Sequence, residues 1–516
     1  MYKDGKIVVG KSSADFVYMI PKMANRHGLI AGATGTGKTI TLKVLAESLS
    51  DMGVPTFLAD IKGDVSGTCM AGTPSDKLME RLNKMGVKDF NFHAYPVQFW
   101  DVFGKKGHPI RTTVSDMGPV LLSRLLELSD VQEGVLNIVF QNENKKKLLL
   151  LDLKDLRAML SYVGENGQEF TTQYGNVTKQ SVGSILRSLM ALEDAGGDAF
   201  FGEPKLDIHD WMGRDPDGHG IVNILHCVEL YQKPILYATF MLWLLNELFE
   251  VMPEVGDLDK PKMVFFFDEA HLLFNDAPKA LVDKVVQVVK LIRSKGVGVY
   301  FITQNPADLP DPVLAQLGNR VQHALHGYTP AEQKAIRAAS ESFRPNKDFK
   351  TDEVIGQLGI GEALTSFLDE QGTPTIVQRT KILPPMSDMG PADDATRAKL
   401  IKESNVYGKY EQAIDRESAF EILTAQSQKD QADQAAQAQA AADAKAAAAQ
   451  AKAEAAAAKE QAKAEAAQAR AVAAAQRAQA HQPKSFQDKL IDKTVNSLEN
   501  QAIHALTRGI FGLLKK

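Results

Sequence analysis

The run Gly32-Ala33-Thr34-Gly35-Thr36-Gly37-Lys38-Thr39 places a glycine, four further residues and then Gly-Lys-Thr in sequence. That spacing builds a phosphate-binding loop. Its glycines let successive backbone N–H groups turn toward phosphate oxygens, and a following helix aims its positive end at the same point. Lys38 offers a point charge to the β- and γ-phosphates, and the Thr39 hydroxyl is a ligand for Mg²⁺. The expected nucleotide-binding residues are Gly32, Ala33, Thr34, Gly35, Thr36, Gly37, Lys38, Thr39 and Ile40, with ATP as ligand and Mg²⁺ as cofactor.

A second run, Val264-Phe265-Phe266-Phe267-Asp268-Glu269, reads as a buried strand ending on two carboxylates. Paired acids at a strand end also serve as helix N-caps. Beside a phosphate loop they gain a chemical reading. Asp268 holds the Mg²⁺ shell, and Glu269 polarises the attacking water as a general base. Thr303-Gln304-Asn305-Pro306 ends another strand. Gln304 there is either a phosphate sensor that positions water or part of a plain turn before Pro306. Arg293 and Arg320 are candidates for an arginine finger that neutralises phosphoryl charge across a subunit interface. Most lone arginines are surface residues. Asp268-Glu269-Ala270-His271 spells the signature of a large helicase superfamily, but that group's Ser-Ala-Thr and Gln-x-x-Gly-Arg-x-Gly-Arg motifs are missing. His271 therefore reads as a helix-start residue. Lys145-Lys146-Lys147 reads as a solvated face.

Positioning these groups takes alternating strands and helices. Gly28–Ala31 is an apolar strand entering the loop, and Thr39–Leu49 has helical apolar spacing at Ile40, Val44, Leu45 and Leu49. Val54–Ala59 is a second strand, ending on Asp60. Residues 76–104 read as helix and strand, with Phe90, Phe92, Ala94 and Tyr95 near a strand edge. From about 118 to 250 the spacing is mainly helical, in Val120–Leu128, Gly134–Phe140, Leu153–Val163 and Ser181–Leu192. Met263–Phe267 is apolar on consecutive residues, as in a parallel sheet covered on both faces. Leu281–Ile292 is helical, Gly296 caps it, and Val297–Thr303 is a strand. The expected fold is α/β: a RecA-like doubly wound, mostly parallel sheet with a large helical insertion and a long Ala-rich C-terminal helix. The expected division is 1–110 for the first part of the ATPase core and 111–255 for the insertion. The second part of the core takes 256–385, and a linker or helix 386–430. An Ala-rich spacer covers 431–482, helical or disordered, and an amphipathic C-terminal helix covers 483–516.

Composition sets the class. The 516 residues are 44% hydrophobic and 24% charged, with a net charge of −5. That describes a globular protein and speaks against a uniformly basic nucleic-acid coat. Cys69 and Cys227 are too few for a disulfide framework or a CxxC metal pair, which fits a reducing, cytoplasmic setting. Nothing at the N-terminus reads as a signal peptide. Ile235–Leu245 is too short to span a bilayer and reads as a buried helix. Residues 441–480 hold 24 alanines without large apolar residues on any face. This suits a helical spacer more than a coiled coil. Ile491, Val495, Leu498, Ala502, Leu506, Ile510 and Leu513 form one stripe near the C-terminus. It reads as a docking helix, with membrane-surface binding as the alternative.

With these motifs in place, the chain resembles the HerA–FtsK group of P-loop ATPases, and within it the bacterial HerA-like helicases of uncertain role. The residues that carry the resemblance are Asn25-Arg26-His27-Gly28-Leu29-Ile30-Ala31-Gly32, Asp60-Ile61-Lys62-Gly63-Asp64, Phe267-Asp268-Glu269-Ala270-His271, Arg293-Ser294-Lys295-Gly296-Val297-Gly298, Thr303-Gln304-Asn305-Pro306 and Leu317-Gly318-Asn319-Arg320. It covers roughly residues 5–385 and the tail Arg508–Gly512. The resemblance implies a hexameric ring with ATP at subunit interfaces, Arg293 as the finger in trans, Gln304 as the strand-end sensor, and movement on DNA. The implied partners are further copies of the chain, DNA, and a nuclease or other protein. Two features depart from the group: HerA proper has an N-terminal β-barrel, and the Ala-rich arm lies outside the usual core. Two alternatives stand beside the DNA motor. One is an ATPase of the same fold that acts on protein. The other is a nucleotide-gated scaffold that recruits partners through its tail.

Overall fold

Apolar residues on consecutive strand positions require a sheet with a core on each face. The computed structural model, which describes residues 1–13, 15–175, 177–275 and 277–479, has that arrangement. Strands β1 (Tyr2–Lys3), β2 (Lys6–Lys11) and β3 (Phe16–Met19) open the chain. β4 (Gly28–Ala31) enters the glycine loop and α1 (Lys38–Asp51) leaves it. β5 (Thr56–Asp60), α2 (Asp76–Met85), β6 (Val97–Asp101) and β7 (His108–Pro109) follow. Then come α3 (Val114–Leu125), α4 (Asp130–Lys146), α5 (Leu153–Glu165), α6 (Gly167–Tyr174) and α7 (Lys179–Asp194). β8 (Val222–His226), α8 (Pro234–Val251), β9 (Met263–Phe267), α9 (Lys279–Leu291) and β10 (Val297–Thr303) return to the sheet. α10 (Asp311–Leu314), β11 (Asn319–Gln322), α11 (Pro330–Glu341), α12 (Thr351–Ile355), β12 (Glu362–Ser366) and β13 (Gln378–Ile382) complete it. α13 (Asp394–Glu403) and α14 (Ala419–Gln479) end the described chain.

The sheet runs β1-β2-β13-β12-β11-β4-β10-β9-β5-β8-β6-β7, with β3 beside β2. From β11 to β7 every neighbour is parallel, and β12, β13, β2, β1 and β3 form an antiparallel flank. This is the RecA-like, mostly parallel sheet expected from the sequence. Successive strand residues feed opposite cores. Phe57, Phe265, Phe267 and Phe301 pack with α3, α4, α5, α7, α8 and α9. Leu58, Phe266, Tyr300 and Ile302 pack with α1 and α2. The helical content of 111–255 lies on the first face.

Two segments differ from their sequence reading. β8 lies within the stretch whose spacing is mainly helical, yet it pairs with β5 on one side and β6 on the other. Its signal is weak because Asn223 interrupts a short apolar run. Burial of that amide works because Nδ2 donates to Thr56 O at 3.1 Å and Trp211 O at 2.9 Å, while Oδ1 accepts Trp100 Nε1 at 3.0 Å. Within 386–430, the stretch read as linker or helix, residues 386–403 pack onto the fold and include α13. Their backbone clamps the polar side of α1. Glu47 accepts Met386 N–H at 2.7 Å and Ser387 N–H at 3.2 Å, and Lys43 donates to Asp388 O. A helix anchored on that side holds the glycine loop at its N-terminus steady.

α8 is long and apolar enough to cross a membrane by length and composition, and 61% of it is buried inside the fold. The chain forms two units, 1–426 and the described part of 427–516. In the first, Ala419 and Leu423 at the start of α14 are buried in the core. In the second, the same helix is exposed at every residue from Gln428 to Ala478. The stripe from Ile491 to Leu513 and the Arg508–Gly512 tail lie outside the described residues.

Candidate active site

β4 ends at Ala31, and the chain turns through Gly32–Gly37 into α1. Gly32 sits against His323, whose Cβ lies 2.5 Å from where a side-chain carbon on Gly32 would stand, so only glycine fits. Gly37 has φ 112°, a left-handed conformation that frees the turn into the helix. No side chain caps α1 at Gly37, so its first N–H groups point open into the loop. The loop is held by its neighbours: Gly32 N–H donates to Thr303 O at 3.2 Å, Ala33 N–H to Ala324 O at 2.8 Å, and Gly361 N–H to Thr36 O at 3.0 Å. Thr34 and Gly35 are exposed at its tip, and Thr39 and Ile40 are half-buried. Lys38 crosses the loop, donating to Gly32 O at 2.7 Å and Ala33 O at 3.1 Å. Burial lowers its ammonium, which Glu269 partly offsets.

Parallel register brings the acids alongside. Phe267 pairs with Ala59 on β5 and Phe301 on β10, and Thr303 pairs with Ala31 on β4. Asp268, Asp60 and Gln304 therefore emerge with the loop at one edge. Glu269 takes the left-handed conformation at φ 47°, a strained setting for a side-chain-bearing residue and one common at functional sites. Gln304 Nε2 donates to its Oε2 at 3.4 Å, His271 Nδ1 lies 3.3 Å from that oxygen, and Lys62 pairs with Oε1. Burial alone would raise the Glu269 carboxyl, but Lys62, Gln304 and His271 together outweigh it and the net shift is downward. Asp268 is pushed up to about 6 by burial, against the pull of Lys62 and with added repulsion from Glu269. Asp60 rises to about 7 through burial and the nearby Asp64.

Asp60, Lys62 and Asp64 carry no site role in the sequence reading, although Asp60-Ile61-Lys62-Gly63-Asp64 stands out as a polar run after a buried strand. Asp64 Oδ2 lies 3.5 Å from Thr39 Oγ1, while Asp64 Oδ1 and Asp60 Oδ2 are buried without a hydrogen-bond partner. Buried carboxylate oxygens lacking donors, beside a hydroxyl, suit a hard cation such as Mg²⁺. The residues present fit that ion, and Thr39, Asp268 and Asp64 are the groups that would hold it.

His323 also escaped the sequence reading, since it matters only where β11 meets the loop. Its Nδ1 donates to Glu362 O at 2.9 Å, and in the neutral ring Nε2 then accepts from Thr41 Oγ1 at 2.8 Å. Burial lowers it from 6.5 to about 4. Burial does the same to His27. Between those values the unfolded chain binds a proton that the folded chain refuses, so stability is full above about 6.5 and falls as pH drops toward 4. Each ring is expected to contribute on the order of 3 kcal/mol across that window. Urea midpoints from pH 7 to 5 should fall less steeply for His323→Gln than for the parent chain. Equal slopes would count against the buried neutral ring.

A family model for the helicase HerA-like C-terminal region matches residues 6–516. The chain belongs to that family. No curated protein matches it. Solved structures with a similar arrangement include the bacterial conjugative coupling protein TrwBdeltaN70 in its unbound monoclinic form, at 14% identity and TM-score 0.48, covering 76% of this chain and 93% of that one. Another is the plasmid coupling protein TrwB in complex with a non-hydrolysable GTP analogue, at 15% identity and TM-score 0.47, covering 76% and 93%. A third is VirB4 of Thermoanaerobacter pseudethanolicus, at 16% identity and TM-score 0.46, covering 74% and 97%.

This HerA-like chain is a P-loop ATPase, and of its two candidate fingers Arg293 lies apart from its own phosphate loop, whereas Arg320 is on β11 in register with Leu29. Arg293 precedes β10, whose far end, Thr303, adjoins the loop; the strand between them spans about 20 Å at about 3.3 Å per residue. Its guanidinium is 39% exposed and lies 3.2 Å from Asp257 Oδ1, with Arg26 at 4.0 Å from the same oxygen. Arg320 is tied to its own backbone, donating to Leu317 O and Leu314 O at 3.1 Å each and to Ser342 O at 3.5 Å. Arg293 is thus the freer of the two to engage another copy.

Proposed function

We propose that the chain hydrolyses ATP in a Mg²⁺-dependent reaction shared between neighbouring copies of a ring, hexameric in number, and that the ring moves DNA. The observation that carries the shared site is Arg293: it is solvent-accessible, yet stands at the end of β10 remote from its own phosphate loop. An arginine there is placed to reach a neighbour's nucleotide rather than its own.

Each residue then has a task. Backbone N–H groups of Gly35 to Thr39 hold phosphate oxygens, and Lys38 leaves its two loop carbonyls to meet the β- and γ-phosphates. Thr39 and Asp268 would hold Mg²⁺, which when bound would neutralise phosphate charge. Glu269 accepts the proton of the attacking water, and Gln304, in contact with Glu269, orients that water. Arg293 of the next copy meets charge developing on the transferred phosphoryl group. The exposed length of α14 favours one second reading, a nucleotide-gated scaffold that displays its arm to partners.

Two experiments separate the parts. Phosphate release is measured with and without single- and double-stranded DNA at several salt concentrations, with Lys38→Ala as control. The DNA reading predicts stimulation that weakens as salt rises. Absence of both stimulation and binding sinks it and leaves protein as the substrate class, or the scaffold. Next, Arg293→Ala chains are mixed with Glu269→Gln chains. Each alone is expected to be inactive, and activity should return on mixing, highest near equal amounts. No activity at any ratio would count against the shared site.

A further inference from the structure

Both carboxylate oxygens of Glu269 face side chains of its own chain, Oε1 through an ion pair that leaves it without a hydrogen-bond donor. Lys62 pairs with Oε1, and Gln304 and His271 face Oε2. A general base needs an oxygen lone pair aimed at the water it deprotonates. Lys62 stands on one of the two oxygens that could supply it.

The turn carrying Lys62 is built for that contact. Asp60 Oδ1 accepts Gly63 N–H at 2.7 Å, closing Asp60–Gly63 at the end of β5, one strand from Glu269. Lys62 is also within electrostatic reach of Asp268 and Asp64, the acids that suit a divalent ion. Burial would lower its ammonium, but Glu269 and these acids together raise it. A lysine and a dication therefore compete for one set of carboxylates. The two partners differ in freedom: the Lys62 side chain is 42% exposed and has solvent to swing into, whereas that of Glu269 is 6% exposed and enclosed by its neighbours. When the pair opens, Lys62 is the partner that moves.

We propose that Lys62 is a reversible latch on Glu269, closed by this ion pair and opened when metal and nucleotide engage the surrounding carboxylates. The proposal rests on the ATPase reading. Lys62 is a positioning residue: it touches the general base and sets when that base is available. Its removal frees Glu269 from the start and deletes the cation with which Mg²⁺ competes.

The test uses the full chain with Lys62→Met, of similar length and uncharged, and Lys62→Arg, which keeps the charge. The first readout needs no turnover: the Mg²⁺ concentration at half-saturation for binding a fluorescent non-hydrolysable ATP analogue. It is expected to fall about fivefold in Lys62→Met, the scale of a partly exposed ion pair, and to stay near the parent value in Lys62→Arg. The second is basal phosphate release at saturating Mg²⁺ and ATP, expected to rise severalfold in Lys62→Met. The latch requires both changes. Unchanged values overturn it, as does a drop in release with weakened analogue binding, which would make Lys62 a phosphate contact instead. A parent chain that neither binds the analogue nor releases phosphate would sink the ATPase reading itself, a separate outcome.

Discussion

Lys38→Ala should lose nucleotide binding by about a hundredfold or more, and hydrolysis should drop below detection with it. A charged donor to a phosphate contributes about 1.5–3 kcal/mol, and Lys38 is placed to make more than one such bond. The side chain is already inside the loop, bonded to Gly32 O and Ala33 O and 6% exposed. Asp268 and Glu269 would also lose a neighbouring cation. Alanine is a good helix former at the start of α1, so the fold should survive. Titration with a fluorescent ATP analogue, next to a thermal melt, checks both halves. Unchanged affinity in a folded variant would remove the loop from the nucleotide site.

Glu269→Gln should act on the other side of the cycle. The amide keeps the shape and can still meet Gln304, but it cannot take a proton from water. Loss of a general base costs about a hundred- to ten-thousandfold in rate. Nucleotide affinity should hold or tighten, since one negative charge leaves a cluster in which burial and like charges already raise Asp268 and Asp60. The contrast is diagnostic: Lys38→Ala loses binding, whereas Glu269→Gln binds without turning over. A Glu269→Gln chain that hydrolyses at the parent rate would move the base elsewhere.

Much of this site is local in sequence and could be read there. The loop spacing fixes Gly32 to Thr39, and a buried strand ending in Asp268-Glu269 announces its own partner. Gln304 is legible once β10 is recognised, because the ends of parallel strands gather at one edge. What escapes the sequence depends on which strands become neighbours. Asp60, Lys62 and Asp64 belong to the site because β5 lies beside β9. His323 belongs because β11 lies beside β4 and places its Cβ against Gly32 and its ring near Gly37. β8 was hidden by Asn223, whose burial is tolerable only with Trp100 and two carbonyls around it. The clamp on α1 was hidden because Met386 and Ser387 meet Glu47 from more than three hundred residues away. Arg293 and Arg320 look alike as sequence. Only the carbonyls around Arg320 and the single aspartate beside Arg293 tell them apart.

The most direct measurement is phosphate release from ATP by the full chain, with Mg²⁺ and with excess chelator, and with Glu269→Gln alongside. The account predicts release that needs Mg²⁺ and falls about a hundredfold or more in Glu269→Gln. Release that persists in chelator, or that Glu269→Gln matches, would contradict it.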